Sequence, residues 1–172
     1  MKKISILILA LICTIALSAQ DNAITRYFTD YQSDASFTKV NVSSKMFSLF
    51  TEIEGEDDAE KAVLDAMSKL KGVKELINDN SSDGASMYRD ALKRLNTAGD
   101  YEELMSVEDE TENVMFMIRN TGDIISELLM VLRGSNDFMI MSLYGEIDLN
   151  QIAKISRILK ISGLEEFGKL GG

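Results

Sequence analysis

Two short acidic stretches carry the residues whose types and spacing could do chemistry. The first is Gly145-Glu146-Ile147-Asp148, which ends the nearly uncharged run "DFMIMSLY". Two carboxylates can act as a general acid and a general base. Asp148, however, precedes the helical pattern "LNQIAKISRIL", and Gln151 follows three residues later, which is the spacing of a capping box. Because no further acid, base or nucleophile is placed to complete a site, we predict no catalytic residues and interpret Asp148 as a helix cap.

The second stretch, "DNSSDGASMYRD", has the spacing of a calcium-binding loop. Oxygen-bearing side chains stand at Asp79, Ser81 and Asp83, a glycine follows for the tight turn, and Asp90 occupies the twelfth place. The pattern departs from a calcium loop in three ways. Its last ligand is Asp instead of Glu, Ser86 replaces an apolar residue, and the preceding segment is strand-like. An Asp-Gly turn that caps a helix explains the same residues, so we predict that turn and keep calcium as the alternative.

The composition excludes several kinds of active site. The chain of 172 residues has no histidine and one cysteine, which excludes a Ser-His-Asp triad, a Cys-His dyad and a Cys or His zinc site. Neither phosphate-binding glycine motif occurs. The formal net charge of −10 repels nucleic acids and anionic lipid heads. We therefore expect a non-enzymatic protein with no cofactor and no nucleic-acid partner, and a carboxylate-dependent hydrolase is the remaining catalytic alternative.

The opening segment "MKKISILILALICTIALSAQ" has the build of a secretory signal peptide. Two lysines precede an apolar core from Ile4 to Leu17, which is shorter than the ~20 residues of a membrane span. Cys13 lies inside that core, too early for lipid attachment. We predict a signal peptide over residues 1–19, export to the periplasm or cell envelope of a Gram-negative bacterium, and no stable membrane anchor. The mature chain should be one domain over residues 20–162 with a flexible tail over residues 163–172.

Hydrophobic periodicity predicts the elements that must position these residues. "FTKVNV", residues 37–42, alternates as a strand does, and "VKELI" after Gly72 is a second strand. One helix is predicted between these strands at residues 56–70 and another after them, ending at Gly99. A further helix should begin at Ser43 or Ser44. Its inward face is predicted to contain Met46, Phe47, Phe50 and Ile53.

From Tyr101 onward the period changes to two over four runs of residues. The runs are separated by "DET", "NTG" and "GSN", which have the composition of tight hairpin turns. Connections this short force neighbouring strands to be antiparallel. The predicted fold class is therefore α+β, in which an antiparallel sheet with a C-terminal four-stranded meander packs against several helices.

Both faces of the predicted meander are apolar. In "ENVMFMIR", Val114, Phe116 and Ile118 point to one side, and two methionines point to the other. Since a solvated face would show polar residues at alternate positions, both faces must be covered, either by the chain's own segments or by a second copy in a homodimer. The functional alternative is a surface or pocket for an apolar ligand or protein partner. Its residues would be Met105, Met115, Met117, Met139 and Met141.

The whole arrangement resembles the bacterial family described as domain of unknown function 4252. The resemblance rests on "VNVSSKMFSLF", "YEELMSV", "ISELLMVL" and above all "DFMIMSLYGEIDLNQIAKIS". It implies a small exported or lipoprotein-like envelope protein with an α+β layout, and it supplies no active-site residues. The expected function is that of an exported accessory protein, a non-catalytic binding or interaction module. The alternative is a carrier of an apolar ligand in a methionine-rich pocket.

Overall fold

A computed structural model of the chain describes residues 23–79 and 82–150. Several sequence predictions fall outside these residues. They are the signal peptide with Cys13, the domain start at residue 20, the proposed ligand Ser81, the capping partner Gln151, and the helix and tail after Asn150.

Helices and strands alternate in the first part of the described chain. The helices are α1 (Ala23–Asp30), α2 (Ser44–Ser48), a 3-10 helix (Leu49–Glu52), α3 (Asp58–Ser68) and α4 (Gly84–Ala98), and the strands are β1 (Thr38–Ser43) and β2 (Leu70–Asn78). The side chain of Asp57 caps α3 by accepting a hydrogen bond from the Glu60 amide at 2.8 Å. Gly99 ends α4 in the left-handed conformation, with φ of 74°, as the sequence predicts.

Six strands form one antiparallel sheet in the order β1-β2-β6-β5-β4-β3. The last four are β3 (Glu102–Glu108), β4 (Asn113–Thr121), β5 (Ile124–Arg133) and β6 (Phe138–Ile147). They follow one another as the predicted meander, and β2 and β1 extend the sheet beyond β6. The structure confirms the α+β class and the C-terminal meander.

Helices cover both faces of this sheet. On the first face, α2, the 3-10 helix and α3 pack against a cluster that includes Val114 and Phe116. On the second face, α1 and α4 pack against a cluster that includes Met117. The alternation predicted for β4 is confirmed, since Ile118 shares the first face and Met115 the second. The described helices of one chain therefore pack against both apolar faces of the sheet.

The segment after Ser43 differs from the predicted amphipathic helix. The α-helix is only five residues long, and a 3-10 helix continues it. Phe47 is buried and Phe50 half-buried, but Met46 and Ile53 are exposed, so the prediction of four inward residues was wrong. In the α-helix, Phe47 and not Met46 is the residue turned to the core. The 3-10 helix ends at Glu52 and the backbone of Ile53 is extended, so a helical period of 3.6 no longer places Ile53 on the inward face.

Candidate functional site

A buried carboxylate, Glu127, is the most enclosed charged group among the described residues, with 1% of its surface exposed. It accepts hydrogen bonds from Arg119 at 3.0 Å (Nε) and 2.8 Å (Nη2), from the Tyr101 hydroxyl at 3.0 Å and from the Ser142 hydroxyl at 2.5 Å. Burial raises the pKa of Tyr101, and the nearby Glu127 raises it further, so the tyrosine remains a hydrogen-bond donor. The charge is thus paired and hydrogen-bonded, as a structural network requires.

A β-bulge at Ser126 aims Glu127 at these donors. Arg119 lies opposite Glu127 in β4, but Asn120 lies opposite Ile125, which leaves Ser126 as an extra residue in β5. Ile125 consequently packs on the first face, while Glu127 meets Tyr101 of the second-face cluster. Sequence reasoning missed this network, and the one available signal was a lone glutamate inside the apolar run "IISELLMVL".

The carboxylates Glu146 and Asp148 line a cavity of about 510 Å³ at one end of the sheet, with Asp65, Lys69 and Asp123 also at its walls. All four carboxylate side chains are exposed to solvent. Within the described ranges, no group of three or more acidic, cysteine or histidine side chains could hold a metal ion. Lys69 pairs with Asp65 at 2.8 Å, and the hydrogen bond from this pair raises the pKa of Lys69. The cavity is a solvated acidic depression.

Asp148 accepts a hydrogen bond from the Asn150 amide at 2.9 Å. This is the contact that an N-cap residue makes with the second residue of a helix. It supports the interpretation of Asp148 as a helix cap.

Within the proposed calcium loop, residues 82–90 form a turn and the start of a helix. Helix α4 already begins at Gly84, and the Asp83 carbonyl accepts hydrogen bonds from the amides of Ser86 at 2.8 Å and Met87 at 3.0 Å. Asp90 therefore lies about 9 Å along the helix from Gly84. Its carboxylate binds Arg94 Nε at 2.9 Å. A calcium loop needs its later ligands to wrap round the ion, and a helix at these positions holds them apart.

We predict that calcium does not bind tightly to this segment. Calorimetric titration of the purified protein should give no dissociation constant below about 10 μM, because the helix separates the carboxylates. Asp83→Ala and Asp90→Ala should give the same titration as the unchanged protein. Calcium binding with a dissociation constant below about 10 μM that Asp83→Ala abolishes would contradict the prediction.

The five methionines proposed as a site are divided between the two faces of the sheet. Met105, Met139 and Met141 belong to the first face, and Met115 and Met117 to the second. Met117 and Met141 are buried and the other three half-buried. Since the sheet itself separates the two groups, the structure does not bring the five together into one pocket.

Exposed apolar side chains concentrate instead on the short segment between β1 and α3. Met46 (52% exposed), Leu49 (46%) and Ile53 (52%) lie within eight residues of the chain, and we call them the apolar stripe. The other large apolar residues with comparable exposure in the described chain stand singly on different strands, at Val40, Val107 and Ile124. The stripe is therefore the candidate binding surface.

A groove of about 270 Å³ adjoins the stripe, between the 3-10 helix and α3. Ile53, Phe50 and Leu64 supply its apolar walls, and Lys61 and Asp65 are among its polar walls. The connection can pass close to α3 because residue 55 is glycine: a Cβ atom there would lie 2.8 Å from the Lys61 backbone nitrogen. Sequence reasoning missed the groove because it expected Ile53 to point into the core.

A family model described as "Domain of unknown function (DUF4252)" matches residues 31–155. The match runs from before β1 to beyond β6 and includes the stripe, the groove and the Glu127 network. No curated protein matches the chain. Within residues 23–79 and 82–150, no helix combines the length and apolarity needed to cross a bilayer.

Proposed function

This chain belongs to the DUF4252 family, a domain of unknown function, and we propose that it is an exported, non-catalytic interaction module. It binds a protein partner through the apolar stripe. The observation that carries the proposal is the clustering of Met46, Leu49 and Ile53 on one exposed segment. Completing the burial of three half-exposed side chains of this size would contribute on the order of 2 to 4 kcal/mol to binding. Such a contribution suits the centre of a protein interface.

The packing of the interior favours a surface site over an internal one. Helices cover both faces of the sheet, and the core methionines Met117 and Met141 are held within the packed clusters. An apolar ligand bound among the methionines would have to displace a covering helix. A partner at the stripe needs no rearrangement of the core, which makes it the simpler binding mode.

Export is supported by the leader sequence, and it has a direct test. We expect the exported protein to begin near Gln20 and to fractionate with the periplasm without detergent. N-terminal sequencing together with mass spectrometry of the exported protein would check this. A mature chain that began with an acylated Cys13, or that remained uncleaved in the cytoplasm, would contradict it.

Site-specific photo-crosslinking in cells tests the proposed surface. A photoreactive amino acid at Met46 or Leu49 should yield one discrete adduct, and the same amino acid at Val107 or Ile124 should not. The adduct is identified by mass spectrometry and the complex rebuilt from the two purified proteins. Ile53→Ser should then weaken the rebuilt complex by about tenfold or more. Equal crosslinking from all four positions, or an affinity unchanged by Ile53→Ser, would overturn the proposal.

A further inference from the structure

The charges around the apolar stripe indicate what kind of partner it accepts. We infer that its occupant is a basic amphipathic helix of a partner protein, with apolar residues on one face and lysines or arginines beside them. This inference rests on the proposed function, because it names the partner class for the same surface.

The rim of the stripe is acidic. Residues 44–65 contain seven carboxylates and two lysines. Ile53 stands between Glu52 and Glu54, and all three side chains are exposed. The carboxylates at residues 56–60 are exposed as well, and they follow directly on the chain. A partner side chain that covers Ile53 therefore enters a field that attracts cations, and the net charge of the whole chain has the same sign.

One of the seven carboxylates, Asp65, pairs with Lys69 at 2.8 Å, but ion pairs do little to neutralise the other six. Lys61 approaches Asp58 only to 3.9 Å, and both side chains are largely exposed. Asp57 and Glu60 accept hydrogen bonds from backbone amides at the start of α3, which fixes their positions without adding positive charge. The rim thus keeps its negative charge and holds part of it in a fixed geometry, as charge-complementary binding requires.

The shape of the surface fits a helix. The stripe lies within eight residues, from Met46 to Ile53, beside an open groove, and an amphipathic helix lays its apolar anchors into a groove of this kind. The groove beside Ile53 is open, has apolar walls from Phe50 and Leu64, and can admit a large apolar side chain as an anchor. Lysines or arginines flanking that anchor would reach the carboxylates on either side of Ile53.

Two other occupants are disfavoured by the same charges. An anionic membrane surface would be repelled by the carboxylates of the rim. A second copy of this chain would bring an identical set of carboxylates against them, which is destabilising. Both are outcomes of the experiment below.

Peptide titration tests the inference on the purified exported protein. The probe is a helical peptide of about 14 residues built from leucine and lysine with its leucines on one face. One control replaces lysine by glutamate, and another keeps the composition but scrambles the order. The amphipathic basic peptide should bind at least about tenfold more tightly than either control, and its affinity should fall about tenfold when salt rises from about 0.05 M to about 0.5 M.

Matched variants assign the binding to the stripe. Ile53→Ser and Met46→Ser, both at exposed positions, should each lower the affinity for the basic peptide by about tenfold, whereas Val107→Ser should leave that affinity unchanged. Glu52→Gln combined with Glu54→Gln should lower the affinity for the basic peptide by about threefold and make that affinity less dependent on salt. Equal binding of the scrambled peptide, or stripe variants without effect, would overturn the inference. Binding to anionic vesicles, or a dimer that Ile53→Ser dissociates, would overturn it in favour of the occupant observed.

The two proposals fail separately. If the stripe crosslinks a partner in cells but the basic peptide binds no better than its controls, the partner has a different chemistry and the interaction module stands. If Met46 and Leu49 yield no specific crosslink and the peptide also fails, both proposals fall.

Discussion

Alanine in place of Phe116 should lower the free energy of unfolding by about 3 to 5 kcal/mol, and alanine in place of Met117 by about 2 to 5 kcal/mol. The two side chains are neighbours in β4 but belong to opposite faces of the sheet, where they are 0% and 4% exposed. Truncation of either one leaves a cavity in a packed cluster, because helices close the sheet on both sides. Both faces therefore behave as core.

Denaturant unfolding monitored by circular dichroism would measure the two effects. Met46→Ala provides the matched control, since this methionine is 52% exposed and its truncation should change stability by no more than about 0.5 kcal/mol. If either Phe116→Ala or Met117→Ala proved as mild as the control, the face concerned would be an open surface. The proposed binding site would then move from the stripe to that face.

Replacement of Arg119 by methionine should lower the free energy of unfolding by about 3 to 5 kcal/mol, because it leaves the buried carboxylate of Glu127 without its opposite charge. Arg119 supplies two of the hydrogen bonds that Glu127 accepts, and its guanidinium lies over the Tyr101 ring with 5.9 Å between the guanidinium carbon and the ring centroid. Methionine keeps much of the apolar stem, so the loss of stability reports on the charge and its hydrogen bonds.

A double-mutant cycle would separate the interaction energy of Arg119 with Glu127 from the contributions of the surrounding residues. Adding Glu127→Gln to Arg119→Met should recover part of the loss, since the neutral amide can still accept from Tyr101 and Ser142 and leaves no unpaired charge. Lys61→Met, at the exposed pair with Asp58, should leave the unfolding midpoint unchanged. An Arg119→Met protein as stable as the unchanged protein would show that the network does not hold the fold.

The regular elements follow from local patterns in the sequence. The four-stranded meander was predictable because period-two alternation and three short turns between Tyr101 and Gly145 permit only antiparallel neighbours. The end of α4 at Gly99 and the cap at Asp148 were predictable for the same reason, since each depends on residues close in sequence. The exclusion of histidine- and cysteine-dependent chemistry needed only the composition.

The surfaces and the buried network depended on packing that no local pattern encodes. Strict alternation in β5 would place Ile125 on the same face as Glu127, and only the bulge at Ser126 separates them and sets the carboxylate opposite Arg119. Likewise, "KMFSLFTEI" is compatible with an inward helical face. The tertiary structure shortens the helix, continues it as a 3-10 helix and leaves Met46, Leu49 and Ile53 in solvent. Side-chain periodicity determines which residues share a face, but exposure depends on what lies against that face in three dimensions.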